Sequence, residues 1–134
     1  MTPLRLFVAE DSSLIRQRLR AMLGTVEGVE WVGEADSPDE ALAGIATSHA
    51  DVAIVDLGLR NGNGLTILQA MRGTPTVTIV LSNLANAPVR RQCLAAGAAC
   101  VLDKTSEFVR LPETLRTLHA RRADVSPTPS TPLP

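Results

Sequence analysis

A chain of 134 residues with 13 basic and 14 acidic side chains has a formal net charge of −1, so no global field draws it to nucleic acid or to an anionic membrane. Its length suits one compact domain around one core. No apolar run is long enough to span a bilayer or to form a signal-peptide core. One Trp, two Phe and no Tyr leave no stacking platform for single-stranded nucleic acid.

In chain order, Leu4–Ala9 is an apolar run that ends on two adjacent acids, Glu10 and Asp11. Ile15, Leu19, Met22 and Leu23 then share one face of a helix. Val29–Gly33 reads as a second strand, with Trp31 packing one of its faces. Ser37-Pro38-Asp39-Glu40 is a capping box with proline at the first helical position and predicts a helix start. Val52–Val55 reads as a third strand and stops at Asp56. After the loop "GLRNGNG", Leu65, Leu68 and Met71 form another stripe, closed by Gly73. Val77–Leu81 reads as a fourth strand, followed by Ser82-Asn83. A fourth helix spans Val89–Ala96 and ends at Gly97, and Ala98–Leu102 reads as a fifth strand, with Lys104 just beyond it. A last helix runs from about Leu111 to Arg121, with Pro112 in its first turn. From Ala123 the text becomes "ADVSPTPSTPLP", too rich in Pro, Ser and Thr to pack a core, so the domain is expected over 1–122 and a disordered tail or linker stub over 123–134.

Five strands alternating with five helices predict an α/β domain, a parallel sheet between two helical layers. The flavodoxin-like order of such a five-stranded, doubly wound sheet is 2-1-3-4-5. Ligands bind these sheets outside the carboxyl ends of the strands. There the sequence places Glu10 and Asp11 after strand one, Asp56 after strand three, Ser82 after strand four and Lys104 after strand five. Clustered carboxylates repel unless a cation neutralises them, and Mg²⁺, a hard ion that takes one or two carboxylates and keeps several waters, suits that donor set. An Asp beside a metal, an ammonium and a hydroxyl is equipped to accept a phosphoryl group, with the carboxylate as nucleophile.

Read together, "FVAEDSSLIRQRL", "DVAIVDLGLRNGNGL", "VTIVLSNLANAPVRRQCLAAGA" and "VLDKTSEF" resemble the receiver domain of bacterial two-component response regulators, the CheY-like family, over about residues 4–121. The resemblance implies phosphorylation of Asp56, Mg²⁺ bound directly by Asp11 and mostly through water by Glu10, and the Gly58 carbonyl as a further metal ligand. Ser82 and Lys104 would grip the phosphoryl oxygens. The implied donor is a sensor histidine kinase or a histidine phosphotransfer protein. The implied output is binding of a downstream protein at the face made by the fourth helix, fifth strand and fifth helix, with homodimerisation as a further option. "DKTSEF" resembles receivers that stand alone, and a stand-alone cytoplasmic receiver is the expectation. Four positions depart from the family's habit. Val101 stands where an aromatic residue usually lies three before the lysine. Thr105 stands where proline commonly follows it, so a cis bond is not expected. Asn83 stands where a small residue is common, and Arg60 where proline is frequent.

Each residue also has a plainer reading. Glu10 and Asp11 suit the positive N-terminus of a helix. Asp56 suits a turn, and Ser82 and Lys104 suit surface loops. His49 and His119 read as surface residues, the Arg90-Arg91 pair as a solvated helix face, and Cys93 and Cys100 as reduced and buried, since they lack disulfide density and metal spacing. Two other functions compete with the phosphoacceptor. One is an interaction module without a phospho-switch, motivated by Val101. The other is a phosphatase with an Asp nucleophile, opposed by Gly58, where such enzymes carry a second Asp as acid/base. A nucleotide-binding flavodoxin-like protein is opposed by "AEDSS", an acidic first turn with no glycine-rich cradle.

Overall fold

The computed structural model describes residues 2–83 and 85–125. In order they form β1 (Leu4–Ala9), α1 (Ser13–Leu23), β2 (Val29–Ala35), α2 (Pro38–Ser48), β3 (Val52–Asp56), α3 (Leu65–Met71), β4 (Val77–Ser82), α4 (Ala87–Ala95), β5 (Cys100–Asp103) and α5 (Leu111–Val125), with a single 3-10 turn at Phe108–Arg110 before α5. The strands make one parallel sheet in the order β2-β1-β3-β4-β5, as expected.

The side-chain period of two splits the apolar runs between two cores. Leu6, Val8, Ile54, Ile79 and Leu81 face Leu19 and Leu23 of α1 and Leu111 and Leu115 of α5. Phe7, Ala53, Val55, Val80 and Val101 face α2, α3 and α4, against Ile45, Ile67, Leu68 and Cys93. All five residues of β3 are buried, which explains why this central strand reads as continuous rather than alternating. The ring of Phe7 lies so close to β2 and α2 that a Cβ on Gly33 or Gly44 would come within 2.8 Å or 2.5 Å of it; glycine at both positions is what lets the helix settle over the ring. Ile54 is fully buried at the centre of the sheet. Ile54→Ala is expected to destabilise the fold by about 3–4 kcal/mol, through lost burial and a residual cavity, read as a lower urea midpoint with an unchanged slope.

Local signals set the helix ends. Ser37 Oγ accepts from Glu40 N at 3.4 Å, with Pro38 opening α2, as the capping box requires. α4 begins two residues before the expected Val89 because Asn86 Oδ1 caps it, accepting from Val89 N at 3.0 Å. α5 continues to Val125, past Arg121 and past the expected boundary after residue 122; Ala123 sustains a helix, and the first proline of the C-terminal run is Pro127. The tail expected from residue 126 onward lies outside the described residues. Cys93 and Cys100 are free thiols, buried and half-buried, and burial pushes both above the usual thiol range, as an inert role requires. No helix among the described residues is long and apolar enough to cross a membrane.

Candidate functional site

The strand registers bring the carboxyl ends of β1, β3, β4 and β5 to one rim. Ala9 pairs with Val55, Asp56 with Leu81, and Ser82 with Asp103. Each strand therefore stops within a residue of its neighbour, and the polar side chains at or just past the stops converge.

Glu10 follows β1 and is 1 % exposed. Its backbone N–H donates to the Ala35 carbonyl at 2.9 Å, and its carbonyl accepts from Arg16 Nη1 at 2.5 Å. Its carboxylate Oε2 accepts from Ser12 N at 3.0 Å. Ser12 is the N-cap of α1, accepting from Ile15 N at 3.2 Å, and no acid lies in the first helical turn. Glu10 is thus turned into the crevice rather than along the helix end. Asp56 closes β3 and is 5 % exposed; its Oδ1 accepts from Gly58 N at 3.1 Å. Lys104 Nζ lies between the two acids, 3.0 Å from Glu10 Oε1 and 3.1 Å from Asp56 Oδ2. The Lys104 backbone is fixed by its N–H donating to the Ser82 carbonyl at 2.9 Å. Ser82 itself is 5 % exposed, while Asn83 beside it is exposed. Glu10, Asp11 and Asp56 each offer an oxygen, and these oxygens lie within 4.8 Å of one another. Asp11 is the exposed member, at the mouth.

Three acids and one ammonium leave the cluster short of positive charge. Burial raises the Glu10 carboxyl to about 7, with the Asp56 charge adding to the effect and the Ser12 N–H and Lys104 opposing it. For Lys104, burial favours the neutral amine, but the hydrogen bond to Glu10 and the charges of Asp56 and Glu10 outweigh it and hold the pKa above the usual lysine range. At the buried Glu10 Oε1 the Lys104 ammonium, 3.0 Å away, is shared with Asp56. Three carboxylates that share a single ammonium are the donor set of a hard divalent cation, so the residues present fit Mg²⁺.

A divalent cation held at this cluster would compete with the proton for Glu10. Because its folded pKa is raised, Glu10 contributes stability that is fully present below its ordinary 4.5 and is lost as pH rises through about 7. In chelator the melting temperature should fall across that window, and Mg²⁺ should restore it. Mg²⁺ affinity measured by calorimetry should tighten about tenfold from pH 6 to pH 8, as for release of one proton. Affinity that is flat with pH would remove Glu10 from the cation's surroundings.

The other sequence candidates fall elsewhere. His49 is an exposed C-cap of α2, and His119 lies 2.9 Å from the Thr2 carbonyl, both at the opposite edge of the sheet. Trp31 packs against the α1/α5 core, with the Arg20 guanidinium 4.6 Å above its ring. Val101 is 4 % exposed and belongs to the core. No peptide bond among the described residues is cis, so Lys104–Thr105 is trans as expected. The reading of Arg90-Arg91 as a solvated pair holds only for Arg91, which is exposed. Arg90 folds back and donates to the carbonyls of Ala85 and Val101 and to Glu107. Glu107 is held below the usual carboxylate range by that Arg90 hydrogen bond and by the Asp103 N–H. In the sequence Glu107 does not stand out, and Arg90 does so only as half of a basic pair. They are 17 positions apart, and only the α4–β5 packing joins them.

Residues 6–116 match the family model described as response regulator receiver domain. Among curated proteins, the chain is 27 % identical over 126 residues to the response regulator GacA of Pseudomonas viridiflava, covering 92 % of this chain and 59 % of that protein. It is 33 % identical over 107 residues to protein-glutamate methylesterase/protein-glutamine glutaminase 5 of Myxococcus xanthus, covering 78 % of this chain and 31 % of that one. The chain thus spans less than two thirds of these curated relatives. Among solved structures, it resembles the signal receiver domain of NarL from Mycobacterium tuberculosis with a TM-score of 0.82 and 27 % identity, over 90 % of this chain and 98 % of that one.

Proposed function

Because the chain belongs to the family of response regulator receiver domains, we propose that it is a phosphoacceptor whose Asp56 takes a phosphoryl group and thereby switches protein–protein binding. The observation that carries this reading is Lys104 Nζ lying 3.1 Å from a buried Asp56 carboxylate, with Glu10 and Asp11 alongside. A carboxylate oxygen of Asp56 attacks the donor phosphorus. The new O–P bond forms as the bond to the donor's leaving group, a histidine nitrogen or a small acyl oxygen, breaks. Lys104 and the Ser82 hydroxyl then pair with the phosphoryl oxygens. Glu10, Asp11, Asp56 and the Gly58 carbonyl would hold Mg²⁺. When bound, the ion supplies positive charge against the transferring group. A Cβ on Gly58 would meet nothing within 4 Å, so this position contributes its backbone rather than a steric need for glycine.

In this reading the protein is not a conventional enzyme and shows at most self-catalysed dephosphorylation. Its donor is a sensor histidine kinase or a histidine phosphotransfer protein. Its output face is α4-β5-α5, where Leu94 and Val109 stand half or more exposed along a groove floored by Cys100 and Val101. The cytoplasm is the compartment that fits such partners, and neither nucleic acid nor membrane is required. The buried Val101 favours one competitor, an interaction module that works without phosphorylation. Incubation with acetyl phosphate separates the two. The phosphoacceptor gains the mass of one phosphoryl group with Mg²⁺ and loses that gain in chelator; an unlabelled wild-type protein would leave the module.

A further inference from the structure

We propose that Arg90 is a positioning residue for the Asp56 site, clamping the loop after Ser82 to the turn that carries Lys104, so that the state of Asp56 sets how α4 packs on β5. The inference rests on the phosphoacceptor reading above. Each nitrogen of the guanidinium makes one bond to a different segment. Nε donates to the Ala85 carbonyl at 2.8 Å, Nη1 to the Val101 carbonyl at 2.6 Å, and Nη2 to Glu107 Oε1 at 2.6 Å. Ala85 lies in the connection between Ser82 and α4. Val101 lies on β5, the edge strand of the sheet. Glu107 ends the turn that follows Lys104.

That turn is built around the same carboxylate. Glu107 Oε1 also accepts from Asp103 N at 2.9 Å. Asp103 Oδ1 accepts from Thr105 N at 2.8 Å and from Ser106 N at 3.0 Å. Lys104 therefore sits in a turn pinned on one side by Glu107 and on the other by its own N–H to the Ser82 carbonyl, at 2.9 Å. The Arg90 and Glu107 side chains are 36 % and 21 % exposed, so the clamp is partly shielded from water. A lysine could not make three diverging planar bonds from this position.

Both groups that would meet a phosphoryl oxygen, the Ser82 hydroxyl and the Lys104 ammonium, thus hang on segments held by one planar guanidinium. A shift of either segment by an ångström cannot keep all three bonds at hydrogen-bond length. Either a bond breaks or α4, which carries Arg90, moves with the loop. The clamp thereby ties the two segments together, so a change at the site is passed to α4.

Backbone amide NMR of the full chain tests this, with Mg²⁺ and beryllofluoride as the phosphoryl stand-in. In the wild type the Gly58 amide, which donates to Asp56, should shift, and so should the amides of Val101, Asp103 and Glu107. In Arg90→Gln the Gly58 shift should persist while the shifts at Val101 and Glu107 are lost. Arg90→Lys, which keeps the charge but cannot make the three diverging bonds, should lose the Val101 shift in the same way, and it serves if the first variant folds poorly. Wild-type shifts at Val101 and Glu107 in both variants would overturn the clamp and leave the acceptor standing. A silent Gly58 in the wild type would overturn the acceptor reading and the clamp with it.

Discussion

Asp56→Asn is expected to abolish phosphoryl uptake from acetyl phosphate, lowering the rate by about 10³-fold or more, as loss of a nucleophile does. The substitution is nearly isosteric. An Asn amide oxygen still accepts from Gly58 N, the partner of Asp56 Oδ1 at 3.1 Å, so the end of β3 keeps its local structure. What disappears is the anionic oxygen beside Lys104. Intact mass after timed incubation reads the rate, and a melting temperature within a few degrees of wild type shows that the loss is chemical. Uptake above about a tenth of the wild-type rate, less than the 1.4 kcal/mol that a factor of ten represents, would place the acceptor on another side chain.

Lys104→Met separates two effects of one ammonium. The side chain is 9 % exposed and bridges two carboxylates, so its removal leaves buried anions facing each other. Breaking a buried pair in this way costs about 3–5 kcal/mol. At pH 8 in chelator the variant should therefore unfold at clearly lower urea. If the folded state holds Mg²⁺ as proposed, the ion should return much of the loss by mass action. Phosphoryl uptake should nevertheless remain about 10²–10³-fold below wild type at saturating Mg²⁺, the usual effect of deleting one group that stabilises a developing oxyanion. A variant that destabilises the fold and labels at the wild-type rate would make Lys104 a structural counter-ion.

The fold was legible because its signals are local. Short Val-, Ile- and Leu-rich runs alternate with capped amphipathic stretches, which predicts a parallel α/β sheet; its order, 2-1-3-4-5, came from the flavodoxin-like class and not from the alternation. The rim was legible for a related reason: in a parallel sheet all carboxyl ends share one edge, so the residues just past the runs must meet. Boundaries were read less well where tertiary partners set them. The β2 strand runs two residues past Gly33 to Ala35 beside β1, and α4 starts from the Asn86 cap, a signal of the same kind as Ser37-Pro38 that went unread. The role of Arg90 was not legible at all. A basic pair on a helix looks solvated until β5 and Glu107 are packed beside it.

The convergence of Glu10, Asp11 and Asp56 on one divalent cation is tested most directly by crystals grown with Mn²⁺ in place of Mg²⁺ and measured at the manganese absorption edge. The expected result is a single strong anomalous peak within coordination distance of the Asp11 and Asp56 carboxylates and the Gly58 carbonyl, with Glu10 reached directly or through water. Lys104 should have drawn back from at least one of its two acids. Manganese bound elsewhere, with Lys104 still bridging Glu10 and Asp56, would contradict it.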